Sequence, residues 1–345
     1  MDRYYRFEEF SSIPKIDAHC HYHTTDGRYI QFAQDHNFRL LTVNTDTKFP
    51  PDYTCWKQRA TAIGLCAVYP HSIGYIAVLP IGDLGSANFA DHVLEVVAQS
   101  VNDGAVGVKI WKNIGMSVLM PGGEFLMVDD PLLDPIFLYL EEKQIPVLGH
   151  LGEPKNCWLP LLRMTVSSDR SYFERNPEFH MFRHKGFPSY EKQIACRDSR
   201  LAKNPDLLFV GAHLGSLEWD VKELAKRLDR FPNMAVDVAE RVCHLQYQSA
   251  SDRSAVRDFF LKYQDRILYG TDCIVGPGTL TSSCLDSIRA TWLDDWRYFT
   301  QDETLISDHF RKRFRALKLP KSVIDKLYYE NAMKWYFSGK AKKSF

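Results

Sequence analysis

Apolar residues gather along this chain in short runs at fairly regular intervals, each followed by turn residues and then by a stretch with helical apolar spacing. Eight runs read as strands: Lys15 to His21, Arg39 to Asp46, Gly74 to Pro80, Ala105 to Lys112, Ile145 to Gly152, Leu207 to Gly215, Met234 to Glu240 and Ile267 to Cys273. Between them the spacing predicts helices over Ala87 to Asn102, Asp130 to Lys143, Leu217 to Arg230 and Ser254 to Tyr263. Such alternation implies right-handed crossovers and a parallel sheet. Eight strands in about 260 residues fit a closed (β/α)8 TIM barrel better than an open doubly wound sheet. An open nucleotide-binding sheet would need a glycine-rich phosphate turn after an early strand, and none is present. The expectation is one barrel domain over residues 1–345, with two additions. A long connection between strands 5 and 6, Pro154 to Pro205, is rich in aromatic and charged residues and reads as a lid. After the eighth strand, Leu285 to Phe299 and Pro320 to Phe337 are predicted as outer-layer helices closing the barrel, and SGKAKKSF as a frayed basic tail.

Composition narrows the class without choosing a partner. Hydrophobic residues make up 45% of the chain and charged residues 25%, ordinary values for a globular protein with a sizeable core. The 43 basic residues balance 43 acidic ones, so no overall field points to nucleic acid or to an anionic membrane. The opening MDRYYRFEEF has no apolar leader, and no stretch has the 18 or so consecutive apolar residues of a membrane span, so a cytoplasmic location is expected unless a leader has been trimmed. The eight cysteines are scattered without a CxxC pair, as expected of reduced thiols.

Several polar residues stand where a barrel places its chemistry, at the carboxyl ends of strands. His19 and His21 form an HxH pair whose alternation sends both rings to one side, with Asp17 expected on that face as a supporting partner; His21 and His23 offer a second register. His150, His213 and Asp272 lie at or near the ends of the fifth, sixth and eighth runs, and Lys109 near the end of the fourth, with Gly107 leaving room beside it. Singly, a histidine there could be a hydrogen-bonded structural residue, Asp272 a turn cap and Lys109 a lysine reaching the rim. Together they read as a metal site with neutral imidazoles and a carboxylate, a set that suits zinc. Lys109 is read either as a carbamylated bridge between two ions or as an unmodified cation. Trp111, Glu153, Glu240 and Arg241 are candidate substrate contacts, with Arg170, Arg175, Arg183 and Lys185 as further cations for an acidic substrate. His180 and His184, four apart, would make another metal pair if that piece were helical. Cys20 and Cys273 should point away from the site and pack behind the strands.

The HxH of the first strand, the histidines of the fifth and sixth and the aspartate of the eighth, in that order over about residues 13–338, resemble the amidohydrolase superfamily. KIDAHCH, AHLGS, LYGTDC and the late YYENAMKWY are similar to its amidohydrolase-related (amidohydrolase 2) branch. The resemblance implies a barrel hydrolase or decarboxylase with zinc, manganese or another divalent ion. It carries His19, His21, His150 and Asp272 over as metal ligands, His213 as the catalytic or second-metal histidine and Lys109 as the bridging lysine of two-metal members. One ion is expected, with a second depending on His213 and Lys109. The first reading is hydrolysis of a small ester, lactone or amide by hydroxide formed on the metal, with Asp272 relaying the proton and His213 or Lys109 steadying the oxyanion. The alternative is a nonoxidative decarboxylase, and the remaining reading a barrel that binds without catalysis. A small-molecule substrate is the expected partner, with neither nucleic acid nor membrane, and the resemblance allows a homo-oligomer.

Overall fold

In the computed structural model, which describes residues 3–46 and 54–338, eight parallel strands pair in sequence order. They are β1 (Lys15–Tyr22), β2 (Phe38–Val43), β3 (Ile73–Val78), β4 (Val108–Ile110), β5 (Val147–Gly149), β6 (Phe209–Gly211), β7 (Met234–Asp237) and β8 (Ile267–Leu268). A short β9 (Ile274–Val275) lies parallel to β1 with Ile274 opposite His21. Ala18 N–H donates to the Tyr269 carbonyl at 3.0 Å and Asp272 N–H to that of His19 at 2.7 Å, so the eighth segment closes the sheet onto β1 as the TIM barrel requires. β8 and β9 are the two ends of one run, interrupted where Asp272 takes a left-handed φ of 62°. An antiparallel hairpin, β10 (Thr304–Ile306) and β11 (Arg313–Arg315), follows.

The observed strands stop earlier than the apolar runs do. β4, β5, β6 and β7 end at Ile110, Gly149, Gly211 and Asp237, whereas the runs continue to Lys112, Gly152, Gly215 and Glu240. Those extra residues, most of them buried, leave the hydrogen-bonded ladder, and their side chains build the mouth of the barrel.

The interior is filled from below by inward residues such as Ile16, Leu41, Ile76, Leu148, Val210 and Leu268. Ala332, Trp335 and Tyr336 join the same cluster, so the helix Asn331–Phe337 plugs the amino-terminal end of the barrel instead of joining the outer ring as expected. Asn331 holds it there, donating to the carbonyls of Gln264 (2.7 Å) and Ile267 (2.8 Å). The predicted helix at Leu285 to Phe299 is found over Ser282–Thr300, opened by Thr281, whose hydroxyl accepts from Cys284 N–H. All but the first residue of the predicted basic tail lies outside the described residues.

The insertion between β5 and β6 is a structured wall. It holds helices Ser167–Arg175 and Tyr190–Lys203 and has a small core of Met164, Phe173 and Met181 with Cys157 and Met116. Buried Arg197 and Arg200 fasten it: Arg197 donates to the Gly215 carbonyl, and Arg200 to the carbonyls of Val128 and Asp130, both at 3.0 Å. No helix among the described residues is long and apolar enough to cross a membrane.

Candidate metal centre

β1 carries two histidines into the barrel by a device that simple alternation misses. Its register with β2 slips between Asp17, opposite Leu40, and Cys20, opposite Thr42, leaving one extra residue in β1. Ile16 and Ala18 therefore fill the interior below while His19 and His21 project into it above, and Cys20 and Tyr22 pack outward against the helices. The slip also corrects the role expected of Asp17. Its carboxylate accepts from the backbone N–H of His19 (3.2 Å) and from Thr271 N–H (3.0 Å) and Oγ1–H (2.6 Å), which pins β1 to the eighth segment. The partner of the His19 ring is Asp237, the last residue of β7: His19 Nδ1–H donates to Asp237 Oδ2 at 2.8 Å.

The hydrogen bonds also set the tautomers. His21 Nδ1 lies 2.7 Å from the Val43 carbonyl and His213 Nδ1 3.0 Å from that of Ala239. A carbonyl only accepts, so both rings carry their proton on Nδ1 and, when neutral, turn an unprotonated Nε2 to the cavity. There the His21 Nε2 meets Asp272 Oδ1 at 3.0 Å and the His19 Nε2 meets the same oxygen at 3.5 Å. Acceptors facing one another in a buried place are what a cation reconciles, and donors about 3.3 Å apart suit a tetrahedral ion bound at about 2.0–2.1 Å. His19, His21 and Asp272 thus form a group able to hold a metal ion. A second group, His19 with His213 and Asp237, is less open, because Asp237 already accepts from His19 and from the His213 backbone N–H (2.7 Å).

His150 stands one place further out. Its ring meets that of His213 edge-on at 4.3 Å, and its buried Nε2 has no hydrogen-bond partner among the described residues, lying 3.6 Å from Glu153 Oε2. His213 Nε2 lies 4.0 Å from Asp272 Oδ2. Burial first, and then Lys109, hold His19 and His150 below the usual imidazole range, and burial and His150 do the same to His213, so these rings are neutral. Burial works against an ionised Asp272, but His213, His21 and His19 outweigh it and keep the carboxyl well below its ordinary value. Neutral imidazoles around an anionic carboxylate are the ligand forms a divalent ion needs.

Two of these residues sit in strained backbone. His213, Leu214, Gly215 and Ser216 all take φ between 56° and 60°, one turn of left-handed helix. Each of the three non-glycine residues costs about 1–2 kcal/mol in that conformation. The turn is held by Asp237 on His213 N–H, by Arg197 on the Gly215 carbonyl, by Ser216 Oγ–H on the Gly152 carbonyl (2.8 Å) and by Tyr190 O–H on the Ser216 carbonyl (2.5 Å). Hydrogen bonds to charged groups contribute about 1.5–3 kcal/mol each, enough to offset the strain. Gly270 shows how tightly β1 and the eighth segment meet, since a Cβ there would stand 2.8 Å from that of His19.

Cations rim the site. Lys109 Nζ lies 3.3 Å from His19 Nε2, and burial lowers its pKa to about 8. Lys112, which the sequence reading passed over, is paired with Glu153 and donates to Tyr172 Oη at 3.2 Å. Arg241 is buried, with Nη1 on Glu240 Oε2 (2.8 Å) and 3.9 Å from Asp169 Oδ1, while its Nε has no partner among the described residues. Glu240 is half exposed at the mouth and Trp111 half-buried at the end of β4. The other proposed cations fall elsewhere. Arg170 donates to the carbonyls of Leu161 and Met164 inside the insertion, and Arg175, Arg183 and Lys185 are on the surface. The His180 and His184 pair is corrected as well: the segment is not a continuous helix, and each Nε2 is bound to a backbone carbonyl, of Leu159 and of Pro177. Cys20 and Cys273 lie behind the strands as expected, Cys273 against the Tyr29 hydroxyl at 3.1 Å.

Asp237 is, with Lys112, a residue the sequence reading missed; an acid ending the apolar run MAVD was the available signal, and Glu240 drew attention from it. Asp237→Asn should weaken divalent-ion binding about 10–100-fold by freeing the His19 ring to turn. Competition with a chromogenic chelator would measure it, and unchanged affinity would remove Asp237 from the support of the centre.

An amidohydrolase family model matches residues 16–337. No curated protein matches the chain. Among solved structures, the 2,6-dihydroxybenzoate decarboxylase of Rhizobium is similar at 15% identity over 94% of this chain and 98% of its own, with a TM-score of 0.55. A protein described as amidohydrolase II is 17% identical over 93% and 99% (TM-score 0.53). A TIM-barrel protein from Bordetella bronchiseptica is 14% identical over 89% and 80% (TM-score 0.51). At these identities the likeness is one of fold.

Proposed function

The chain belongs to the amidohydrolase family, in its amidohydrolase-related branch, and from that premise we propose that it is a metal-dependent, nonoxidative decarboxylase of a small carboxylate. The observation that carries this reading is the joining of the His19, His21 and Asp272 donor group to two buried cations, Lys109 beside His19 and Arg241, whose Nε has no partner among the described residues. The similarity to decarboxylase structures, one of them described in complex with 2,6-dihydroxybenzoate, supports it. A divalent ion, zinc in the first instance, held by His19, His21, His150 and Asp272, would polarise an oxygen of the substrate.

The protein's own groups do the rest. Lys109 and Arg241 orient the carboxylate, while Trp111 and Glu153 flank it. The carbon–carboxylate bond breaks, carbon dioxide leaves and the electron pair stays on carbon, where a proton must arrive. Asp272 takes a proton from the substrate or from water and returns it to that carbon, and His213, 4.0 Å from Asp272, is the second group able to carry it. Hydrolysis of an ester, lactone or amide uses the same residues. It is favoured by one observation, that an ionised Asp272 is readier to accept a proton from water than to give one to carbon.

The zinc- or manganese-loaded protein should release carbon dioxide from 2,6-dihydroxybenzoate or a related hydroxybenzoate, with no net uptake of water. Carbon dioxide assays beside a panel of esters, lactones and amides separate the two readings. Turnover in that panel alone would replace the decarboxylase by a hydrolase.

A further inference from the structure

A cleft of about 340 Å³ opens beside Asp272 and runs between the eighth strand segment and the helix Ser282–Thr300 to Asp295. Its walls include Glu240, Thr271, Thr291 and His309, and the insertion supplies Ser168. Among the described residues lining it there is no lysine or arginine, in contrast to the cation-rimmed side of the site where Lys109, Lys112 and Arg241 stand.

Asp295, at the far end, is 7% exposed. The Tyr269 hydroxyl donates to its Oδ2 at 2.9 Å, and no cation among the described residues pairs with it. With that one hydroxyl as its donor and no paired positive charge among the described residues, burial raises the pKa of this carboxyl to about 7. A carboxylate-bearing group entering here would meet the acids Asp272, Glu240 and Asp295, and among the described lining residues no lysine or arginine to receive it. A hydroxyl or ammonium group would supply what Asp295 lacks.

We propose that this cleft seats the end of the substrate remote from the metal, and that Asp295 selects a hydroxyl- or amine-bearing group there against a carboxylate. The substrate is then a monocarboxylate with a donor-bearing tail. This deepens the proposed function and rests on its metal-centred site, but not on whether carbon dioxide is lost.

Hydroxamates test it, because they chelate a divalent ion whichever reaction the site performs. Acetohydroxamate and homologues with tails ending in methyl, hydroxyl, ammonium or carboxylate would be titrated calorimetrically into the zinc-loaded full chain. The ammonium tail should bind about tenfold tighter than the methyl tail and the carboxylate tail weaker than either, as for a charge-assisted hydrogen bond. In Asp295→Asn the ratio between ammonium and methyl tails should fall close to one. Thr291→Phe, at the exposed lip of the cleft, should lower the affinity of every tailed member relative to acetohydroxamate. Equal affinity for all tails, preference for the carboxylate, or ratios unmoved in both variants would overturn the proposal. Failure of acetohydroxamate itself to bind would overturn the metal-centred reading, and this inference with it.

Discussion

Asp272→Asn should lower turnover about a thousandfold or more while leaving the barrel folded. The side chain is isosteric and asparagine tolerates the left-handed φ of 62°, so the backbone has no reason to move. What disappears is the negative charge that lies 3.0 Å from His21 Nε2, 3.5 Å from His19 Nε2 and 4.0 Å from His213 Nε2. With it goes the group that accepts and returns the proton, whose loss removes about 10²–10⁴ in rate in comparable roles. The weakened donor set adds to that. Because the fold holds this carboxyl well below its ordinary value, its ionised form contributes stability near neutral pH, so the neutral amide should lower the melting temperature of the metal-free protein somewhat without unfolding the barrel. Steady-state kinetics with a thermal melt measure both, and turnover at the wild-type rate would take Asp272 out of the mechanism.

His19→Ala should leave the purified protein with less than about a tenth of the wild-type metal content. His19 is fully buried and contributes to both groups of donors. Its removal takes away one nitrogen and also the Nδ1–H that Asp237 Oδ2 accepts, leaving a buried carboxylate with only the His213 and Ala239 backbone N–H groups on its other oxygen. Breaking a buried charged contact by deleting one partner costs about 3–5 kcal/mol, so a lower melting temperature should accompany the metal loss. Asp237→Asn separates the two effects, because it keeps the ring and frees only its orientation. Elemental analysis after gel filtration is the measurement, and full metal occupancy in His19→Ala would exclude this residue as a ligand.

Much of the centre was legible because barrels place chemistry at strand ends and ladder geometry is periodic. His19, His21 and Asp272 converge as read, and His213 and His150 stand beside them. What periodicity could not show was the extra residue in β1, since a bulge is a property of two paired strands and leaves no mark in one. That is why Asp17 looked like the partner of His19 when the ring belongs to Asp237, more than two hundred residues away. The strand boundaries went astray for a related reason: a buried residue past the end of a ladder is as apolar as one within it. The last helix was misplaced because apolar spacing predicts a buried face without saying what buries it, and Trp335 and Tyr336 found the inside of the barrel.

The order of strands and helices, the closed parallel barrel and the convergence of His19, His21 and Asp272 followed from the sequence by itself, because local period and strand-end position carry that information, and the branch of the family followed from the resemblance of its motifs. The tertiary structure alone decided the tautomers, the support by Asp237, the left-handed turn at His213 and the cleft from Asp272 to Asp295. Each of these depends on which distant residues meet, and hydrogen-bond partners and the cost of burial exist only once they have met.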